Sequence, residues 1–227
     1  SDAISGVDVC VDGDISDPNT GLSLTAGTHT LQGVEALQFL RIRHGIGDGS
    51  DLGRISNQQQ FMSSLVRKLK SDAVLSNPAV LLNFATTAVG LTRSDPPQLV
   101  LSSELANPTR MVQIAMAAKD VPYEDIVFVQ YPTEYTSDFI NVLPLREPAE
   151  QLFAALQANQ PLTLTGDASQ GSGVDVTGEA ADPGSGASTS ATPAPSDSGA
   201  AETRVDLPSE ISGTTAAQVT CTRAGSQ

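Results

Sequence analysis

One stretch, residues 167–202, sets the first limit on what this chain can fold into. Of its 36 positions, 27 are Gly, Ala, Ser, Thr or Pro; six are acidic (Asp167, Asp175, Glu179, Asp182, Asp197, Glu202) and none is Lys or Arg. Such a segment carries too little apolar surface to offset the entropy lost on ordering. It reads as a disordered, solvated linker over 163–203, which leaves 1–162 to build the core and 204–227 as a short tail. The 227-residue chain has a formal charge of -14, which argues against nucleic acid as a partner. No apolar run reaches the length of a membrane span, and no basic, then apolar, leader opens the chain. The first residue is Ser1, not Met, and the chain reads as part of something longer.

Periodicity supplies the elements. Val7-Asp8-Val9-Cys10-Val11 alternates as a strand, and Leu22 with Leu24 suggests another. Thr30 is placed to cap a helix carrying Leu31, Val34, Leu37 and Phe39. Leu40-Arg41-Ile42-Arg43 reads as extended, with both arginines on one face. A Gly-rich loop follows from Gly45 to Gly53. Ile55, Gln59, Met62, Leu65, Val66 and Leu69 then space out as an amphipathic helix. Further helices are expected over 78–89, 108–119 and 147–157, with strands at 126–129 and 140–145. Leu152, Phe153 and Leu156 are expected on one side of the 147–157 helix. Interleaved helices and strands make the class α/β, with a layered sheet.

Chemistry concentrates at Arg41, Arg43, Asp48, Asp51, Arg54 and Gln58. Within 1–166 the net charge is -8, from ten basic and 18 acidic residues, yet three arginines fall within 14 positions. Arginine forks grip phosphate oxygens in pairs. Arg54 and Gln58, four apart, share a helical face. A helix start after a Gly-rich loop adds N–H donors. These groups suit a diphosphate; the plainer alternative is a solvated arginine face beside an ordinary turn. The glycines at 45, 47 and 49 do not match a dinucleotide fingerprint, and no P-loop, nucleophile elbow or zinc spacing is present. His44 reads as a loop residue and His29 as a surface one.

The linked motifs LQGVEALQFLRIRH and GDGSDLGRISNQQQFMSSL, with DAISGVDVCV and GLSLTAGTHTLQGVEAL before and across them, resemble the LytR–CpsA–Psr (LCP) family of cell-wall glycopolymer ligases in an actinobacterial style. The specific likeness covers 2–70 and a weaker one continues to about 160. It implies an LCP-type layered α-β-α fold, a central mixed sheet flanked by helices, with its N-terminal part missing from this chain. The sheet of 1–162 is then expected to be incompletely covered. A membrane-anchoring helix and the main Mg²⁺ ligands are expected in that missing part, so no metal ligand is assigned here.

The resemblance also implies roles. The family transfers a glycan phosphate from a polyprenyl-diphosphate carrier to a peptidoglycan hydroxyl, with Mg²⁺ as cofactor, on the extracytoplasmic side of the membrane. By position, Arg41, Arg43 and Arg54 would neutralise the diphosphate. Asp51 would act as base toward the acceptor or orient an arginine. Gln58 would bond phosphate or headgroup. Two positions depart from the family pattern: Asn57 stands where Arg is common, and Ser5 replaces the first Gly of Gly-Gly-Val. An oxidising setting permits Cys10 and Cys221 to pair; two separate thiols are the alternative. A transferase with pyrophosphatase capacity and a non-catalytic relative that binds lipid diphosphate or wall polymer both remain open.

Overall fold

The computed structural model describes residues 4–71, 78–92, 100, 102, 107–138, 140–181 and 204–225. In order these form β1 (Val7–Val11), β2 (Ile15–Asp17), β3 (Leu22–Leu24), β4 (Gly27–Leu31), α1 (Gly33–Arg41) and α2 (Asp51–Lys70). Next come α3 (Pro78–Thr92), α4 (Pro108–Lys119), β5 (Val127–Val129), β6 (Thr133–Tyr135), β7 (Val142–Pro144) and α5 (Arg146–Gln157). The remaining strands are β8 (Leu162–Thr163), β9 (Val174–Glu179), β10 (Val205–Asp206), β11 (Gly213–Thr215) and β12 (Gln218–Thr222). The protein is mixed α/β.

The central sheet runs β4-β1-β12-β9. It is mixed: β1 is antiparallel to β4 but parallel to β12, and β12 is antiparallel to β9. The alternation in β1 buries Val7, Val9 and Val11 on one face, where they meet Ala36 and Phe39 of α1, Phe61 of α2 and the β2–β3 hairpin. On its other face Asp8 is exposed and Cys10 half-buried.

Two expectations about the chain's second half fail. The solvated linker was placed over 163–203, but 174–179 is a sheet strand paired with β12, and 170–172 forms a 3-10 turn. Val174 and Val176 alternate with Asp175 and Thr177, and pairing satisfies a backbone that composition alone cannot. Residues 182–203 lie outside the described residues. Nor is 204–227 an appended tail. Leu207 and Ile211 are buried with Leu152 in a second apolar cluster. β11 pairs with β5, and β12 lies between β1 and β9. A disulfide joins Cys10 on β1 to Cys221 on β12, 211 positions later.

Several local expectations also shift. Thr30 is a strand residue whose hydroxyl donates to Asp8 Oδ1 at 2.6 Å, and Gln32 takes the N-cap position of α1. Val34 and Leu37 are exposed, while Ala36 and Phe39 carry the buried face. In α5, Leu152 is buried but Phe153 and Leu156 are about half exposed; Ala149 and Ala155 complete the inner stripe.

Helix α2 starts four residues before the expected position, because Ser50 caps it by accepting from Gly53 N at 3.2 Å. Its buried stripe is mostly polar: Ser56, Asn57, Gln60, Ser63 and Ser64 beside Leu52 and Phe61. Ile55 and Met62, expected inside, are exposed. The polar stripe faces strand carbonyls. Gln60 Nε2 donates to Cys10 O and to Thr220 O, each at 2.7 Å, and Thr222 Oγ1 donates to Gln60 Oε1. Arg67 Nη1 donates to Ala216 O at 2.9 Å and Gln218 O at 3.1 Å, holding the β11–β12 turn. Burial lowers the proton affinity of that guanidinium, partly opposed by Tyr123.

The β2–β3 hairpin supports the arginine segment from below. Asp17 is buried, and its Oδ1 accepts from Asn19 N at 2.8 Å. Burial pushes its carboxyl up. The backbone N–H groups of Asn19 and Arg43, the Asn19 side chain and the charge of His44 outweigh that and hold it below the ordinary carboxylate value.

These contacts generate three stability predictions. Gln60→Leu roughly keeps the volume but takes the Gln60 amide donor from two strand carbonyls, Cys10 O and Thr220 O, while the Thr222 hydroxyl keeps Asn57 Oδ1 as its acceptor; each group left unsatisfied costs about 1–3 kcal/mol. Urea unfolding should show a midpoint well below that of the native chain. Ser5 sits at φ 60, a left-handed conformation costing about 1–2 kcal/mol for a residue with a side chain. Ser5→Gly should therefore raise the midpoint. Because the Asp17 carboxyl is depressed on folding, its contribution is present above the unfolded value of about 3.9 and disappears as pH falls through the lower folded value. Asp17→Asn should be less stable at pH 7, with the gap closing in acid; a gap constant down to pH 2 would contradict the assignment.

Candidate functional site

The arginine segment begins where α1 ends. A helix leaves its last carbonyls without partners, and two consecutive amides of α2 supply them. Asn57 Nδ2 donates to Phe39 O at 2.7 Å, and Gln58 Nε2 donates to Leu40 O at 2.9 Å. Asn57 is fully buried, and its Oδ1, 2.6 Å from Thr222 Oγ1, shares that hydroxyl's single hydrogen with Gln60 Oε1. The position that departs from the family pattern therefore faces the core in this chain. Gln58, expected to touch phosphate, is engaged by the α1 terminus and fixes the direction of the chain leaving it.

Arg41 and Arg43 are not on a strand. Arg41 is the last residue of α1, Ile42 is its extended C-cap and Arg43 opens the loop. Ile42 is fully buried while both arginines are exposed, so the in–out alternation survives without the strand. Arg43 Nε lies 3.6 Å from Asp51 Oδ1 and donates to Gly49 O at 3.3 Å. Arg54 Nη2 lies 3.1 Å from the same Asp51 oxygen. One carboxylate oxygen thus gathers two guanidinium groups, all three side chains being substantially exposed. Asp51 occupies the first turn of α2, where the helix dipole favours a negative charge. Arg54 Nε is buried with no hydrogen-bond partner among the described residues. His44 is exposed in the loop.

Periodicity in the sequence did not reveal the rest of the site. Asp48 Oδ1 accepts from Ser50 N at 2.9 Å, and its Oδ2 accepts from Tyr135 Oη at 3.1 Å. Tyr135 reaches the loop from β6. Burial raises its phenol above the ordinary value; a hydrogen bond with the Ser50 side chain opposes this, and the charges of Asp48 and Asp51 add to it. The supposed linker supplies the other wall. Asp48 N donates to Gly171 O at 3.1 Å. Gly171 sits at φ +68, and a Cβ there would stand 2.6 Å from Gly53 N and 2.7 Å from Ser50 Oγ. No side chain fits between that turn and the start of α2. The turn is held by Gln130, whose Oε1 accepts from Gln170 N at 2.9 Å and whose Nε2 donates to Leu52 O and Ser56 Oγ.

Among the described residues no three His, Cys, Asp or Glu side chains group closely enough to hold a metal ion. Asp51 is already paired with two arginines, so the acids present do not fit a Mg²⁺ cage of their own.

The LytR_cpsA_psr family profile matches residues 1–157. Over 85 residues the chain is 42% identical to the cell wall biosynthesis protein LcpA of Corynebacterium glutamicum, covering 37% of this chain and 16% of that protein. Over 64 residues it is 41% identical to the regulatory protein MsrR of Staphylococcus aureus, covering 28% of this chain and 19% of that one. The chain thus spans less than a quarter of the length of these curated relatives. Among solved structures it is similar to a LytR-Csp2A-Psr enzyme from Actinomyces oris, with 25% identity, a TM-score of 0.45, and coverage of 67% of this chain and 57% of that one. With the family's pattern matched across more than half of its length, this chain belongs to the LytR_cpsA_psr family.

Proposed function

We propose that the arginine site binds the diphosphate of a polyprenyl-linked glycan donor, in a protein that transfers the glycopolymer to peptidoglycan at the bacterial cell envelope. The relatives named as cell wall biosynthesis proteins support this setting, and their Corynebacterium source supports an actinobacterial origin. The observation that carries the reading is the shared oxygen of Asp51, which holds Arg43 and Arg54 together at an exposed surface of an acidic chain. Two guanidinium groups repel each other, and the Asp51 oxygen between them offsets that repulsion.

Asp51 plays that part while the site is empty. Exposed ion pairs contribute only about 0–1 kcal/mol, so an incoming diphosphate displaces them at little cost. Arg43 and Arg54 then turn their forks to phosphoryl oxygens, joined by Arg41 from the end of α1. Their charge offsets the negative charge that builds on the phosphorus oxygens and the leaving phosphate during transfer. Asp51 orients the two guanidinium groups in this reading. Mg²⁺, as countercharge on the donor, would have to be held mainly by groups other than those described here, and no step is assigned to it.

Titration calorimetry of this chain with geranylgeranyl diphosphate tests the reading. Each charge-assisted hydrogen bond is worth about 1.5–3 kcal/mol, so Arg43→Ala and Arg54→Ala should each weaken binding by roughly ten-fold or more. Lysine at either position should restore only part of the affinity, because an ammonium lacks the planar fork. Folded alanine variants that bind as tightly as the native chain would refute the assignment.

A further inference from the structure

We infer that Tyr135 is a positioning residue of this site: its hydroxyl fixes the Asp48 carboxylate, and through it the loop that presents Asp51 to Arg43 and Arg54. The inference rests on the diphosphate reading and extends it to a residue 84 positions after Asp51 in the chain.

The geometry forms one connected path. Tyr135 Oη donates to Asp48 Oδ2 at 3.1 Å. The other oxygen of that carboxylate accepts from Ser50 N at 2.9 Å. Ser50 caps α2 through its own side chain, and Asp51 is the first residue of that helix. The Asp48 carboxylate therefore decides how the backbone enters the helix, and Tyr135 decides how the carboxylate lies. The phenol itself is anchored from behind. Thr133, two residues earlier on β6, donates to Gln170 Oε1 at 3.0 Å, and Gln170 N is bonded to Gln130. That network also seats Gly171 against the loop, where Gly171 O accepts from Asp48 N.

The Gly47-Asp48-Gly49-Ser50 stretch carries no apolar side chain; buried Ile46 and the bond from Gly47 N to Arg223 O at 3.0 Å anchor its start. The Gly47 and Gly49 backbones lie at positive φ, a region glycine visits freely. Beyond that anchor, two hydrogen bonds involving Asp48, one from β6 and one to the 170–172 turn, hold its middle. Holding a charged pair in its binding geometry before the ligand arrives lowers the ordering cost on binding.

Tyr135→Phe removes the hydroxyl and keeps the ring. With the geranylgeranyl diphosphate used above, the affinity should fall by about five-fold, the worth of one hydrogen bond near 1 kcal/mol. The thermal midpoint should move little. Asp48→Ala should weaken binding at least as much, and Tyr135→Phe added to Asp48→Ala should cost less than it does alone, since most of the hydroxyl's effect passes through that carboxylate and the remainder through its bond with the Ser50 side chain. In the ligand-free chain, NMR resonances of the Arg43 and Arg54 Nε–H groups should shift in Tyr135→Phe, a readout independent of any ligand. If Arg54→Ala loses affinity while Tyr135→Phe keeps both native affinity and native arginine resonances, the positioning role is wrong and the diphosphate reading stands. Equal, additive losses in the two single variants would also overturn the path through Asp48. If the native chain fails to bind the probe, both readings fall together.

Discussion

The structure depends on the buried polar face of α2. A twenty-residue helix normally docks by an apolar stripe. Here Asn57 and Gln60 lie at its centre and make hydrogen bonds to carbonyls of α1, β1 and β12 and to the Thr222 hydroxyl. Buried amides of this kind tolerate one register only, because a helix rotated or slid by a residue leaves every partner unsatisfied. An apolar stripe would permit small slips. The amides therefore fix α2 against both strands, and the site at its N-terminal end inherits that precision.

The same helix explains how a late segment of the chain comes to shape an early motif. β12 can sit between β1 and β9 because Gln60 and Thr222 tie it to α2 and the disulfide ties it to β1. Once β9 pairs with β12, the turn just before β9 is delivered to the start of α2. There Gly171 and Gly173 meet Gly53 at distances that exclude side chains. Small residues in this stretch serve close approach, which is a different use from solvation.

That difference marks what the sequence could and could not convey. Val7 to Val11, Pro108 to Lys119 and the family motif were legible because alternation, an N-terminal proline and linked signatures act locally. The α/β class followed from the interleaving. The strand at 174–179 was hidden by its neighbours: Gly, Ser and Thr dominate the composition around it, and its order comes from β12 forty positions away. The inward face of α2 was hidden for a related reason. Apolar spacing selects Ile55 and Met62, whereas strand carbonyls select Asn57 and Gln60 instead. Arg41 and Arg43 were expected on one face of a strand; instead they are exposed on either side of the buried Ile42, one at a helix end and the other in a loop. Nothing local to Tyr135 signals its approach to Asp48; only the fold brings β6 there.

Electrostatics gives this arrangement its direction. A chain of net charge -14 repels anions at long range, so in the proposed function a diphosphate would have to be held by short-range geometry. Beyond about 8 Å at physiological salt, exposed charges are largely screened, so the nearest groups dominate. In the proposed function Arg43 and Arg54 would be those groups, and the shared Asp51 oxygen holds them together. A carboxylate that is exposed, shared between two guanidinium groups and placed at a helix start is well suited to being displaced: it holds the arginines firmly enough to order them and weakly enough to release them. The buried amides of α2, the glycine contacts and the hydroxyl of Tyr135 all act on where that one carboxylate stands.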